Sequence, residues 1–179
     1  MFRVAYLGLL IIPLWVNAGS DDLELLGGEL NLHGRIIDQP CVIAPESLDQ
    51  SVDMGVVDVR ALYEAGTGKL VPFMIRLTEC KPEIFHMAKV IFTGVEDQQM
   101  KGALAFTSGS AKGAGLRLYD ATQSPLDLGN PSHGYVLGGA VDNELQFFAQ
   151  VKAHPDAVSG KSIKPGDYSA VANFIVAYE

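Results

Sequence analysis

The sequence predicts an all-β protein, an antiparallel β-sandwich. Three observations predict it. Short segments of alternating apolar and polar residues follow one another along most of the chain. Glycine and proline separate them at Gly66-Thr-Gly68, Gly109 to Gly115, Gly129-Asn-Pro131, Gly138-Gly139 and Pro165-Gly166. Helical periodicity is nearly absent, which removes the crossover helices that a parallel α/β sheet requires.

The first element is a targeting segment. Arg3 gives a positive start, Val4 to Val16 is an apolar run broken only by Gly8 and Pro13, and Val16-Asn17-Ala18 offers small residues where a signal peptidase reads. The run is shorter than the ~20 apolar residues that span a bilayer. Residues 1–18 are therefore expected to form a cleaved signal peptide, followed by an extension over residues 19–33 and one domain over residues 34–179. From the extension into the start of the domain, Leu26, Gly28, Leu30, Leu32, Gly34 and Ile36 fall on one face of a strand, and Glu29, Asn31, His33 and Arg35 on the other. Such a segment suits an apolar groove on one side and water on the other, and equally an edge strand of its own domain.

The domain's expected strands run in order. Leu30 to Ile36 alternates, and Val52-Asp-Met54 is short and stops at Gly55. Pro72 to Leu77 leads into Cys80, and Lys89 to Thr93 ends at Gly94. Gly115 to Tyr119 places Leu116 and Leu118 on one face; Leu145 to Val151 does the same for Leu145, Phe147, Ala149 and Val151. A short helical turn is expected between Val57 and Ala65. Last comes Tyr168 to Tyr178, with Tyr168, Ala170, Ala172, Phe174, Val176 and Tyr178 on one face. It runs to the end of the chain and leaves no residues for a further neighbour. A long apolar strand with an open edge is an aggregation hazard that monomers avoid; a strand flanked on both sides by earlier ones is the alternative.

The two cysteines, Cys41 and Cys80, stand 39 residues apart. In an exported chain an even count reads as a disulfide, here with closure of the loop contributing roughly 4 kcal/mol. The alternatives are a pair of buried thiols or a zinc site, and His33, His86, His133 and His154 lack ligand spacing for the latter.

Charge narrows the partners. The chain carries a formal charge of −8; loss of Arg3 with the leader leaves twelve Lys and Arg (13 − 1) against 21 Asp and Glu, or −9. That balance excludes the basic stripe that nucleic-acid phosphates require and disfavours an anionic membrane surface. No second long apolar run follows, so no membrane insertion is expected. The single Trp15 leaves with the leader, so the mature protein should lack tryptophan fluorescence. No catalytic constellation stands out. Gly66-Thr-Gly-Lys69 misses a phosphate loop because positions 63 and 70 are Tyr63 and Leu70. There is no G-x-S-x-G elbow and no H-E-x-x-H, so no enzyme activity, cofactor or metal is expected.

Several segments, taken in order, resemble the pilin family of the chaperone–usher pathway. They are Leu32-His-Gly-Arg-Ile-Ile-Asp-Gln-Pro-Cys41, Val52-Asp-Met-Gly55, Pro72-Phe-Met-Ile-Arg-Leu-Thr-Glu-Cys80, Val90-Ile-Phe-Thr-Gly94, Gly113-Ala-Gly-Leu-Arg-Leu-Tyr-Asp120 and Ala172-Asn-Phe-Ile-Val-Ala-Tyr178. The resemblance implies an immunoglobulin-like sandwich lacking its final strand. A periplasmic chaperone first lends a strand to the resulting groove. At the outer-membrane usher, the N-terminal extension of a neighbouring subunit replaces it, which is β-strand addition. In this chain the resemblance makes Leu26, Gly28, Leu30, Leu32 and Gly34 the donor residues, and Ala172, Phe174, Val176 and Tyr178 the acceptor groove. It implies export through the periplasm, a place in a fimbrium on the cell surface and a contribution to cell adhesion. The ending Val-Ala-Tyr-Glu179, and Val52 to Gly55 followed by Val59 to Leu62, resemble subunits that terminate a pilus. Shaft subunit, tip adaptor and terminator are thus the alternatives within the family, and a secreted carbohydrate-binding adhesin module is the alternative outside that role.

Overall fold

The computed structural model describes residues 29–34, 36, 40–81, 83, 85–138 and 142–179. The expected leader, and Leu26 and Gly28 of the expected donor segment, lie outside the described residues. The chain parts into two units, Met1–Ile36 and Ile37–Glu179. In the first, residues 29–34 and 36 carry no strand. An extended segment becomes a strand only when its backbone bonds to a neighbour's, so alternation alone did not produce one.

The second unit contains ten strands and three short helices among its described residues. In order they are β1 (Val42–Ile43), α1 (Pro45–Leu48), α2 (Val59–Ala65), β2 (Val71–Thr78), β3 (Met87–Gly94), β4 (Ser108–Gly109), β5 (Ala114–Tyr119), β6 (Pro125–Leu126), β7 (Tyr135–Val136), β8 (Asn143–Ala153), α3 (Pro155–Ser159), β9 (Tyr168–Ser169) and β10 (Ala172–Tyr178). The larger sheet runs β1-β2-β8-β5-β6, the second β10-β3-β7, and β4 pairs with β9. Every ladder between these strands is antiparallel.

Strand β8 organises the larger sheet. Phe73 lies opposite Phe147 and Ile75 opposite Leu145 on one side; Leu116 lies opposite Val151 and Leu118 opposite Ala149 on the other. The strict two-residue period of β8 sends Leu145, Phe147, Ala149, Val151 and Ala153 inward, and all five are buried. From the second sheet Ala88, Val90 and Phe92 of β3 join Ile75, Leu77, Leu145 and Phe147 in one apolar cluster. The Phe92 ring meets Phe147 edge-on at 5.0 Å, and Phe73 stacks on Phe147 at 5.7 Å. The core therefore lies between two sheets, as a sandwich requires.

Local chemistry sets the connections. The Asp58 carboxylate caps α2 by accepting from the Arg60 N–H at 2.9 Å, and Gly66 ends it in the left-handed region at φ 73° with its N–H on the Leu62 carbonyl. Helix α3 starts on Pro155, whose fixed φ suits a first helical position. At Gly94 a Cβ would come within 2.7 Å of the Val171 carbonyl oxygen, so only glycine allows β3 to approach the entry to β10.

Besides the segment from Leu30 to Ile36, two expected strands changed. Residues 52–54 form no ladder. Asp53 instead accepts from the Gly55 N–H at 2.9 Å, a local turn that competes with strand pairing. The expected strand from Tyr168 to Tyr178 splits: β9 bonds to β4 and β10 to β3, with residues 170–171 between them.

Candidate functional site: the open edge of the last strand

The register of β10 places Phe174 opposite Phe92, Val176 opposite Val90 and Tyr178 opposite Ala88. These three alternate side chains lean onto the core, with the Phe174 ring 6.4 Å from Phe92 and the Tyr178 ring 6.1 Å from Phe85. Each is only partly buried, although the residue opposite it on β3 is fully inside. Ala172, the fourth residue expected on this face, is exposed. Among the described residues β10 has a ladder partner on one side only, because it stands at the end of its sheet. The outward residue Ile175 is 61% exposed.

One polar group of this face is left incomplete, while the last residue is firmly held. The Tyr178 hydroxyl is buried with no hydrogen-bond partner among the described residues, and burial pushes its pKa up. At the end of the strand Lys89 grips the Glu179 carboxylate at 2.8 and 2.7 Å. The Glu179 carbonyl accepts from the His86 and Met87 N–H groups, both at 3.0 Å.

Upstream of β10 lies a cavity of about 70 Å³ whose apolar wall includes Val57, Leu62, Phe106, Val151, Ile163 and Tyr168. The Tyr168 ring stacks on Phe106 at 4.4 Å. Its hydroxyl is also buried without a partner among the described residues. Burial first, and the charge of Asp53 second, raise its pKa. Sequence reading placed Tyr168 on one strand face with Phe174 and Val176, whereas that residue lies on β9 and lines this cavity. It missed Val57, Phe106 and Ile163, which come from loops that carry no periodic signal.

The two cysteines are joined, Cys41 to Cys80, with Cα atoms 4.1 Å apart. The bond continues the ladder in which Val42 lies opposite Thr78. In the first unit Leu30 and Leu32 are 78% and 82% exposed. Nothing stands within 4 Å of where a Gly34 Cβ would lie.

Buried polar groups elsewhere are satisfied within the fold. Asp97 accepts from the Gln99 and Met100 N–H groups and pairs with His154 Nε2 at 2.9 Å. Asp120 accepts from Thr122 and Ser124 at the turn after β5. Burial alone would raise the Asp120 pKa, but these bonds outweigh it and hold the carboxyl below its ordinary value. Tyr135 is pushed up to about 12, chiefly by burial. Among the described residues no group of three or more His, Cys, Asp and Glu side chains could hold a metal ion, and no helix is long and apolar enough to cross a membrane.

The family model for fimbrial proteins matches residues 30–179. The chain belongs to the fimbrial protein family. This fimbrial chain is 34% identical over 152 residues to the fimbria A protein of Serratia marcescens, covering 85% of this chain and 84% of that one. It is 31% identical over 179 residues to the fimbrial adapter PapK of Escherichia coli, covering 96% and 97%. Among solved structures it is similar to the P pilus rod subunit PapA, with TM-score 0.65, 26% identity and coverage of 79% of this chain and 100% of that one. It is also similar to a chain in the structure of a chaperone–usher pilus, with TM-score 0.66, 27% identity and coverage of 86% and 96%. The fold is thus the immunoglobulin-like sandwich of pilins, and the protein is a structural subunit of a chaperone–usher pilus, a cell-surface filament of polymerised subunits. The family is structural, not enzymatic.

Proposed function

We propose that this subunit polymerises by accepting a β-strand from a neighbour along the free edge of β10 and by lending its own N-terminal extension in turn. The observation that supports this most directly is the partial burial of Phe174, Val176 and Tyr178 on a strand with a ladder partner on one side only among the described residues. A strand laid beside β10 would cover them and bond its open backbone edge. The donor is the segment around residues 23–36, with Leu26, Gly28, Leu30, Leu32 and Gly34 inserting. The acceptor face is Phe174, Val176 and Tyr178, with Ala172 at its entrance. Before assembly a periplasmic chaperone fills the same edge, and the outer-membrane usher is where the exchange occurs. This requires export, with residues 1–18 removed, and the finished filament contributes to adhesion.

Gly34→Leu and Leu32→Asp test the reading. Both variants should co-purify with the chaperone in normal yield, and electron microscopy should show no filaments. Normal filaments from Gly34→Leu would overturn it. Supplying extensions from other subunits to the same acceptor would then separate a shaft position from an adaptor or terminating one.

A further inference from the structure

The cavity beside Tyr168 is apolar in its wall and basic at its rim. The charged side chains among its lining residues are Lys112 and Lys164, and no acid lines it. Asp53 acts on Tyr168 but stands outside the lining. The two lysines are held directly opposite each other. The Lys112 N–H bonds to the Lys164 carbonyl at 3.1 Å and the Lys164 N–H to the Lys112 carbonyl at 3.0 Å. Like charges at directly opposed strand positions repel, and neither side chain has an ion-pair partner among the described residues. The fold thus keeps an unneutralised cationic pair at the mouth of an apolar cavity, next to the segment that leads into β10.

The chain also supplies a matching anion. Residues 19–36 carry Asp21, Asp22, Glu24 and Glu29 against a single cation, Arg35. We infer that Lys112 and Lys164 are specificity-determining residues that select an acidic incoming strand, the N-terminal segment of a second copy of this chain. This rests on the strand-acceptance reading above. Apolar residues of the donor supply most of the binding, and the lysine pair decides which donor is captured and how fast, as charges at the rim of an interface do.

A fluorescein-labelled synthetic peptide of residues 19–36 tests it, added to the subunit purified with its chaperone, with uptake followed by anisotropy. Against the wild type, uptake should slow about tenfold between 20 mM and 1 M salt. The double variants Lys112→Gln/Lys164→Gln and Lys112→Glu/Lys164→Glu should slow it at 20 mM salt, the second more, and the three proteins should converge at 1 M. A peptide with Asp21→Asn, Asp22→Asn, Glu24→Gln and Glu29→Gln should not distinguish them. Equal uptake by all three proteins at low salt overturns the electrostatic selection and leaves strand acceptance standing. No uptake of either peptide by the wild type overturns strand acceptance, and this inference with it. Unchanged circular dichroism of the glutamine variant separates lost selection from lost folding.

Discussion

Strands β8 and β10 are written in the same alphabet and end in different environments. Both turn aromatic and aliphatic side chains toward the same core at every second position, although β10 also carries Ile175 and Ala177 on its outward side. Strand β8 has β2 on one side and β5 on the other, and its five inward residues are buried. Strand β10 has only β3 beside it among the described residues, and Phe174, Val176 and Tyr178 are half-buried. The difference is not in the strands but in their neighbours. Burial of a strand is completed by what lies alongside, and in the strand-acceptance proposal that neighbour of β10 is another chain.

Substitutions can break or sharpen that contrast. The largest effect is expected from Phe147→Ala, at the centre of β8, which should cost about 3–5 kcal/mol and reduce recovery of chaperone-bound subunit to a small fraction. Normal recovery would mean that β8 is not the closed half. Replacing Cys41 and Cys80 by serine should cost about 2–4 kcal/mol, read as a lower denaturant midpoint of the assembled filament. Phe174→Ala is the sharpest comparison. It should cost the unassembled subunit about 1 kcal/mol, and the filament about 2–3 kcal/mol, because full burial of a phenylalanine comes only with the added strand. Equal losses in both states would erase the distinction between the two strands.

The smallest effect is expected at Asp120, far from the open edge. Its folded-state pKa lies below the ordinary value of 3.8. The carboxylate therefore contributes stability that is fully present above that value and disappears as pH falls through the lower folded pKa. Asp120→Asn should lower the melting temperature at neutral pH by roughly 2–4 °C per kcal/mol lost and should flatten the acid limb below pH ~4. An acid limb as steep as the wild type's would assign that limb to other carboxylates.

Much of this was legible in the sequence because period-two alternation is a local signal. Leu116 and Leu118, and the run from Leu145 to Val151, were placed inside by it alone, and β2, β3, β5 and β8 follow. The pairing of Cys41 with Cys80 followed from their number and the expected compartment. What failed to show was nonlocal or competed with alternation. Asp53 and Gly55 form a turn where Val52 and Met54 suggested a strand. Ala172 shares the parity of Phe174 yet stays exposed at the strand's start. The cavity beside Tyr168 draws on loops far apart in sequence, and the cross-strand meeting of Lys112 with Lys164 depends on a bridge that no periodicity announces.

If the extension is held by a neighbour, as proposed above, the bond between Cys41 and Cys80 acquires a mechanical meaning. Tension along the filament then enters each subunit through the backbone just ahead of Cys41. The first ladder it meets, β1 on β2, is two residues long and would peel apart under little load. The sulfur bridge carries the pull past that weak seam and into β2, which is sutured to β8 along seven residue pairs. A thread of subunits can therefore be stretched without each one unravelling from its tether.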